Sequence, residues 1–258
     1  MRALEMRTAQ TFRAAGSSVV QQSQYYTDPE TGDQREIDVI AREAAVLSFD
    51  PLVFVAVDFR IECKSHSPDR PFVVFSAPMP EVTSGWRWLN CAGSVLGKKL
   101  IDYLDPELVG LEVFAVEPLT GYGLAQAALS NKGGNQDAGF SATMQAAKAS
   151  CAGFSEPGQC VLSFPVVVVT GPLYDCHLGD DGEPVVSEVR QHAIQVPYPL
   201  KNGPAVNTVR IVTEAGLPEF AKSGVASAKS LLGAYKKLDR ALYQETLREI
   251  RDGNRSTT

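Results

Sequence analysis

A chain of 258 residues with 44% hydrophobic and 21% charged content is too balanced for a disordered, fibrous or membrane-embedded polypeptide. Its formal net charge of −6 argues against a protein that coats nucleic acid unselectively, while leaving room for a local basic groove. Five cysteines (63, 91, 151, 160 and 176) are odd in number and include no CxxC pair, which points to a reducing, cytoplasmic setting rather than a disulfide scaffold.

Residues 2–14 predict a helix: Leu4, Ala9, Phe12 and the Ala14–Ala15 pair form an apolar side, and Gly16 stops it. With three arginines in residues 1–15 and no apolar core, no secretory signal is expected there. Ser18–Tyr26 is rich in β-branched and aromatic residues, and Asp28–Asp33 carries the Pro, Gly and Asp of a turn. Arg35–Arg42 then reads as the partner strand of a hairpin, and Val53–Lys64 as an apolar central strand.

A polar loop, Ser65–Pro71, leads to a short strand at Phe72–Phe75. Trp86–Tyr103 is expected to be helical, Leu111–Val116 a strand, and Gly121–Gly139 loop-like in its second half. Asp137–Cys151 has the alanine content of a helix, and Val161–Thr170 reads as a buried strand. With Ser163 and Pro165 inside it, that run is too short to cross a bilayer, and no membrane association is expected. Gly179–Gly182 is a turn between strands Leu173–Leu178 and Val185–Val196, and Val206–Thr213 adds another strand. From Leu217 to about Arg251 the pattern is helical, with Leu231, Tyr235, Leu238, Leu242 and Ile250 on one side. The expected organisation is one α/β domain over residues 1–215, with a helical extension, 216–258, packed on it.

The chemistry concentrates at Glu62-Cys63-Lys64, which closes the apolar strand. Residues two apart on a strand share a face, so a carboxylate and an amine emerge together where burial is the norm. Asp38, inside the neighbouring segment Arg35–Ala41, supplies a second acid. Two acids and a lysine form a minimal site for a divalent cation and an activated water. Carboxylate oxygens select Mg²⁺ or Mn²⁺ over zinc. A lysine among carboxylates retains its proton and acts as an electrostatic clamp.

Other features have plainer readings. Glu36 alternates with Asp38 and is either a rival ligand or a partner of Arg35 or Arg42. Trp86 and Trp88 read as a base-stacking platform or as packing side chains. Cys176-His177 is a poor zinc nucleus, because adjacent residues seldom ligate one tetrahedral ion. The late basic residues, among them Lys229, Lys236, Lys237 and Arg240, are interleaved with acids, as on a solvated helix. GYGLAQ at 121–126 lacks the third glycine of a dinucleotide site, and GxSxG, P-loop and HExxH motifs do not occur.

The order helix, strand, strand with an internal Asp, strand ending in Glu-x-Lys resembles the PD-(D/E)xK nuclease superfamily, whose fold is restriction-endonuclease-like. The segments REIDVIA and FRIECKSH carry the resemblance, which runs from Leu4 to Phe75. The helix at 137–151 and the strand at 161–170 complete an αβββαβ core with a central mixed sheet, to which the hairpin at 173–196 and the C-terminal helical extension are added.

The resemblance implies that Asp38, Glu62 and the main-chain carbonyl of Cys63 hold Mg²⁺ or Mn²⁺, and that Glu5 is an additional acid beside it. Lys64 would orient or deprotonate the attacking water and steady the developing phosphorane charge. Ile37 stands where the pattern often has proline. His66, just past Lys64, and Gln145, in the middle of a helix, are candidate substrate contacts, against the plainer readings of loop histidine and surface glutamine. The expected function is a metal-dependent endonuclease acting on nucleic acid, DNA rather than RNA. By analogy of fold it would serve as effector of a multi-protein defence or mobile-element system, and homo-oligomers are compatible with it. The alternative is a non-catalytic binding or scaffold subunit of the same fold.

Overall fold

A computed structural model describes residues 2–47, 52–65, 70–78, 91–101, 103–104, 110–115, 118–127, 137–152, 159–197 and 206–255. The chain begins with helix α1 (Arg2–Ala14), ended by Gly16 at φ 84°. The hairpin β1 (Val19–Thr27) and β2 (Gln34–Leu47) follows, its turn held by Asp28, whose Oδ1 accepts the amide of Glu30 at 2.9 Å. Strands β3 (Val53–Lys64) and β4 (Phe72–Pro78) come next, then a two-residue strand β5 (Ala92–Gly93) and helix α2 (Val95–Ile101). Strand β6 (Leu119–Gln126) and helix α3 (Asp137–Cys151) precede β7 (Gln159–Val169). Strands β8 (Leu173–Leu178), β9 (Pro184–Val189), β10 (Gln191–Pro197) and β11 (Val206–Thr213) lead to helices α4 (Leu217–Lys237) and α5 (Arg240–Arg255).

The fold is α/β, with 11 described strands in one mixed sheet ordered β1-β2-β3-β7-β11-β10-β6-β4-β8-β9, and β5 attached to β7. Strands β3 and β7 pair in parallel over their length, from Phe54↔Gln159 to Lys64↔Val169. Both are almost continuously buried, as central strands covered on two faces must be. Pro165 sits where the far edge of β7 changes partner, from β5 at Leu162–Ser163 to β11 at Val166–Val169. Its missing N–H therefore falls outside both ladders.

One face of the sheet carries α1 and α4. Phe12, Phe59, Phe164 and Phe220 meet there, with Phe59 5.7 Å from the rings of both Phe12 and Phe164 and 6.0 Å from that of Phe220. Such pairs add roughly 0.5–1.5 kcal/mol each beyond the area they bury. Phe220, Ala221, Val225, Ala228 and Leu231 of α4 belong to this same core, so residues beyond 216 share the hydrophobic cluster of β3 and α1. The opposite face carries α3, whose Ala142, Ala146 and Ala147 lie on Val167, Val169, Val209 and Ile211.

Four expectations change. Trp86–Tyr103 is not one helix: residues 79–90 lie outside the described residues, Ala92–Gly93 is extended against β7, and the helix starts only at Val95. Leu111–Val116 is not a strand, because Glu112–Phe114 coil into a 3₁₀ turn that drives Val113 and Phe114 into the core. The run Val185–Val196 breaks at Arg190, where the chain leaves β8 and joins β11 and β6. The C-terminal helix is two helices, divided at Leu238, where ψ is 141°.

Candidate metal centre

Along β3 alternate residues divide between the two faces, which separates Glu62 and Lys64 from Cys63. Cys63 points toward α1, its Sγ 3.6 Å from Thr8 Oγ1, and burial pushes its thiol far above the ordinary range. It is therefore not a thiolate nucleophile. On the other face Lys64 Nζ donates to Glu62 Oε1 at 2.6 Å, with Glu62 only 3% exposed.

Asp38 joins them through a defect in the sheet. The β2–β3 ladder ends at Val39↔Ile61, while β3 continues along β7 to Lys64. Beyond that point β2 peels away, and Asp38 Oδ2 accepts the amide of Cys63 at 2.6 Å. In an extended strand the N–H and C=O of one residue share an edge, so the Cys63 carbonyl faces the same gap. The Lys64 carbonyl faces β7 instead and accepts from Thr170 N–H at 3.1 Å.

The electrostatics are those of crowded acids. Burial pushes the Asp38 carboxyl up to about 6, opposed by the Cys63 amide and reinforced by the charges of Glu5 and Glu36. Burial pushes Glu62 up to about 7, reinforced by Asp38 and opposed by Lys64. Glu5, on the buried side of α1, weighs on both. Glu62 Oε2 is buried and has no hydrogen-bond partner among the described residues. A buried carboxylate with an empty oxygen and an acidic neighbour fits a cation, and the donors are all hard oxygens. Among the described residues no three His, Cys, Asp or Glu side chains are grouped so as to hold a metal ion between them. Two carboxylates and a main-chain carbonyl are hard-oxygen donors of the type Mg²⁺ takes alongside water.

The other candidates raised by the sequence fall differently. His66, Trp86 and Trp88 lie outside the described residues. Gln145 is not turned to solvent: its Nε2 donates to the Glu36 carbonyl at 2.8 Å, bracing β2 two residues before Asp38. Arg35 pairs with Asp28 at 2.8 Å and Arg42 with Asp58 at 2.6 Å, so neither holds Glu36. Lys229 donates to the Gly16 carbonyl at 2.7 Å, tying α4 to the end of α1.

One cluster has no counterpart among the motifs legible in the sequence. Buried Asp175 accepts from the Ser76 hydroxyl, lies 2.8 Å from His177 Nδ1 and 3.1 Å from His192 Nε2, and joins β4, β8 and β10. Both ring nitrogens of His192 face acceptors, the second being the Ala193 carbonyl at 2.9 Å. His177 thus has Asp175 as a hydrogen-bonding partner through Nδ1.

Comparison with family models, curated proteins and solved structures finds no match to this chain. Among the described residues no helix is long and apolar enough to cross a membrane.

Proposed function

We propose that the protein is a metal-dependent nuclease of restriction-endonuclease-like fold, hydrolysing phosphodiester bonds in nucleic acid, with DNA as the proposed substrate. The observation that carries this reading is the convergence of Asp38, Glu62 and Lys64 where β2 parts from β3, with one buried Glu62 oxygen lacking a hydrogen-bond partner. Asp38, Glu62 and the Cys63 carbonyl would hold Mg²⁺ or Mn²⁺, with Glu5 adding negative charge behind them. The cation, when bound, supplies polarisation of the phosphate and a lower pKa for a bound water.

The chain's own residues do the rest. Asp38 and Glu62 must lose any resting protons before they ligate, which makes cation affinity rise with pH. Lys64, held against Glu62, sets a fixed positive charge beside the gap, where charge develops on the phosphoryl oxygens. The dry walls of β3 strengthen that interaction.

The Glu62–Lys64 ion pair also favours a second reading. A lysine that neutralises its carboxylate suits a non-catalytic nucleic-acid-binding or scaffold subunit, in which the acids are structural. Nicking of supercoiled DNA with Mg²⁺, and none in EDTA, is expected of the nuclease. A metal-independent binder that never cuts is expected of the scaffold. Membership of a multi-protein defence or mobile-element system is a proposal from fold analogy alone.

A further inference from the structure

We propose that Gln145 and Ser23 are positioning residues: they hold β2 away from β3 at Asp38 and so set the gap that accepts the divalent cation. This rests on the metal-centre reading above. Two independent features meet at Asp38. The first is a grip from α3. Gln145 Nε2 takes the Glu36 carbonyl at 2.8 Å, and the Gln145 carbonyl accepts from Tyr26 Oη at 3.4 Å, so one residue engages both strands of the hairpin. One turn on, Lys148 Nζ reaches Asp28 at 3.2 Å and Glu30 at 2.6 Å. Beyond Val39 the hairpin therefore belongs to α3 rather than to β3.

The second feature is in the backbone. Ser23 has φ 53°, the one positive value at a non-glycine among the described residues. It lies opposite Asp38, where the β1–β2 register passes from Gln22↔Val39 to Gln24↔Ile37 without a Ser23↔Asp38 pair. A left-handed residue inside a strand is held at a cost, and it persists where the surroundings demand it. Asp38 is thus outside the regular ladder on both sides, which leaves its side chain to turn to the Cys63 amide. Groups behind the ligands of a metal site fix their orientation, and losing one typically lowers affinity by about 10- to 100-fold.

The test titrates the full chain with Mn²⁺, read by electron paramagnetic resonance, alongside hydrogen exchange of the Cys63 amide. Wild type and Ser23→Gly, which accepts a positive φ, should bind alike. Gln145→Leu, apolar and unable to donate, and Ser23→Val, whose branched side chain resists that φ, should each lose about tenfold or more in Mn²⁺ affinity and exchange the Cys63 amide faster, while melting cooperatively. If Gln145→Leu fails to fold, the Ser23→Gly and Ser23→Val pair decides. Variants that match wild type in both readouts overturn the inference. If even wild type binds no Mn²⁺, the metal-centre reading falls, and the Cys63 amide alone decides whether the two residues brace Asp38: faster exchange sustains the brace, unchanged exchange overturns it.

Discussion

The carboxylate of Asp38 accepts the amide of Cys63 at 2.6 Å, across a point where the ladder between their strands has already ended. One side chain replaces a missing strand hydrogen bond and also presents a charge to the gap, and these roles are separable. Asp38→Asn keeps an acceptor for the amide and relieves the repulsion from Glu5, Glu36 and Glu62, so near neutral pH it should melt at or above the wild-type temperature while losing Mn²⁺ binding. Asp38→Ala strands the amide and should cost about 1–3 kcal/mol in urea unfolding. Equal destabilisation by both variants would contradict this division.

Asp38 and Glu62 also set a pH dependence. Their folded carboxyls titrate near 6 and 7, above ordinary values of 3.8 and 4.5, so the folded state binds more protons than the unfolded state between those limits. Stability from this pair is complete below about pH 4 and is lost as pH rises through 6 to 7. The metal-free protein should therefore lose melting temperature between pH 5 and pH 7.5, and Glu62→Gln should flatten much of that slope. Mn²⁺ should restore stability most at the upper end, where the ligands are ionised.

Asp58 anchors an ion triad with Arg60, also buried, and Arg42, partly exposed. It is fully buried and takes Arg42 through Nε at 2.7 Å and Nη2 at 2.6 Å, with Arg60 Nη2 at 3.5 Å. Asp58→Ala removes the carboxylate that two neighbouring guanidinium groups share and should cost about 3–5 kcal/mol in chemical denaturation. A loss below about 1 kcal/mol, the scale of surface pairs, would show that the triad contributes little.

Gly97 lets α2 rest directly on β7. A Cβ there would lie 2.7 Å from the Val161 carbonyl oxygen, too close for the two backbones to stay where they are. Gly97→Ala should push the helix outward, weaken the Tyr235 Oη bond to the Gly97 carbonyl (2.8 Å), and cost about 1–3 kcal/mol. An unchanged midpoint in urea would refute that close contact.

Local chemistry carried much of this structure. Gly16, the Asp28–Asp33 turn and the alternation around Glu62-Cys63-Lys64 act within a few residues, and each lies where periodicity and turn residues predict. What the sequence hid depends on distant partners. Glu112–Phe114 has the apolar content of a strand but no ladder to join among the described residues. Arg190 divides one β-rich run because its two halves pair with different strands. The Asp175 cluster draws on Ser76 and His192, 99 and 17 residues away, and no spacing rule links them. Gln145 looks like a surface helix residue until α3 is laid against β2. Ser23 gives no signal at all, since serine is not among the residues that favour a positive φ.

Whether Asp38, Glu62 and Lys64 form a hydrolytic metal centre is decided by cleavage. Supercoiled, linear and single-stranded DNA would be incubated with Mg²⁺ or Mn²⁺ and wild-type protein, beside Glu62→Ala and Lys64→Ala variants shown to be folded by circular dichroism. Metal-dependent cutting by wild type is expected, reduced at least about 100-fold in each variant. Cutting that survives both substitutions would contradict the assignment of these residues, and no cutting of any substrate by folded wild type would contradict the nuclease reading of the chain by itself.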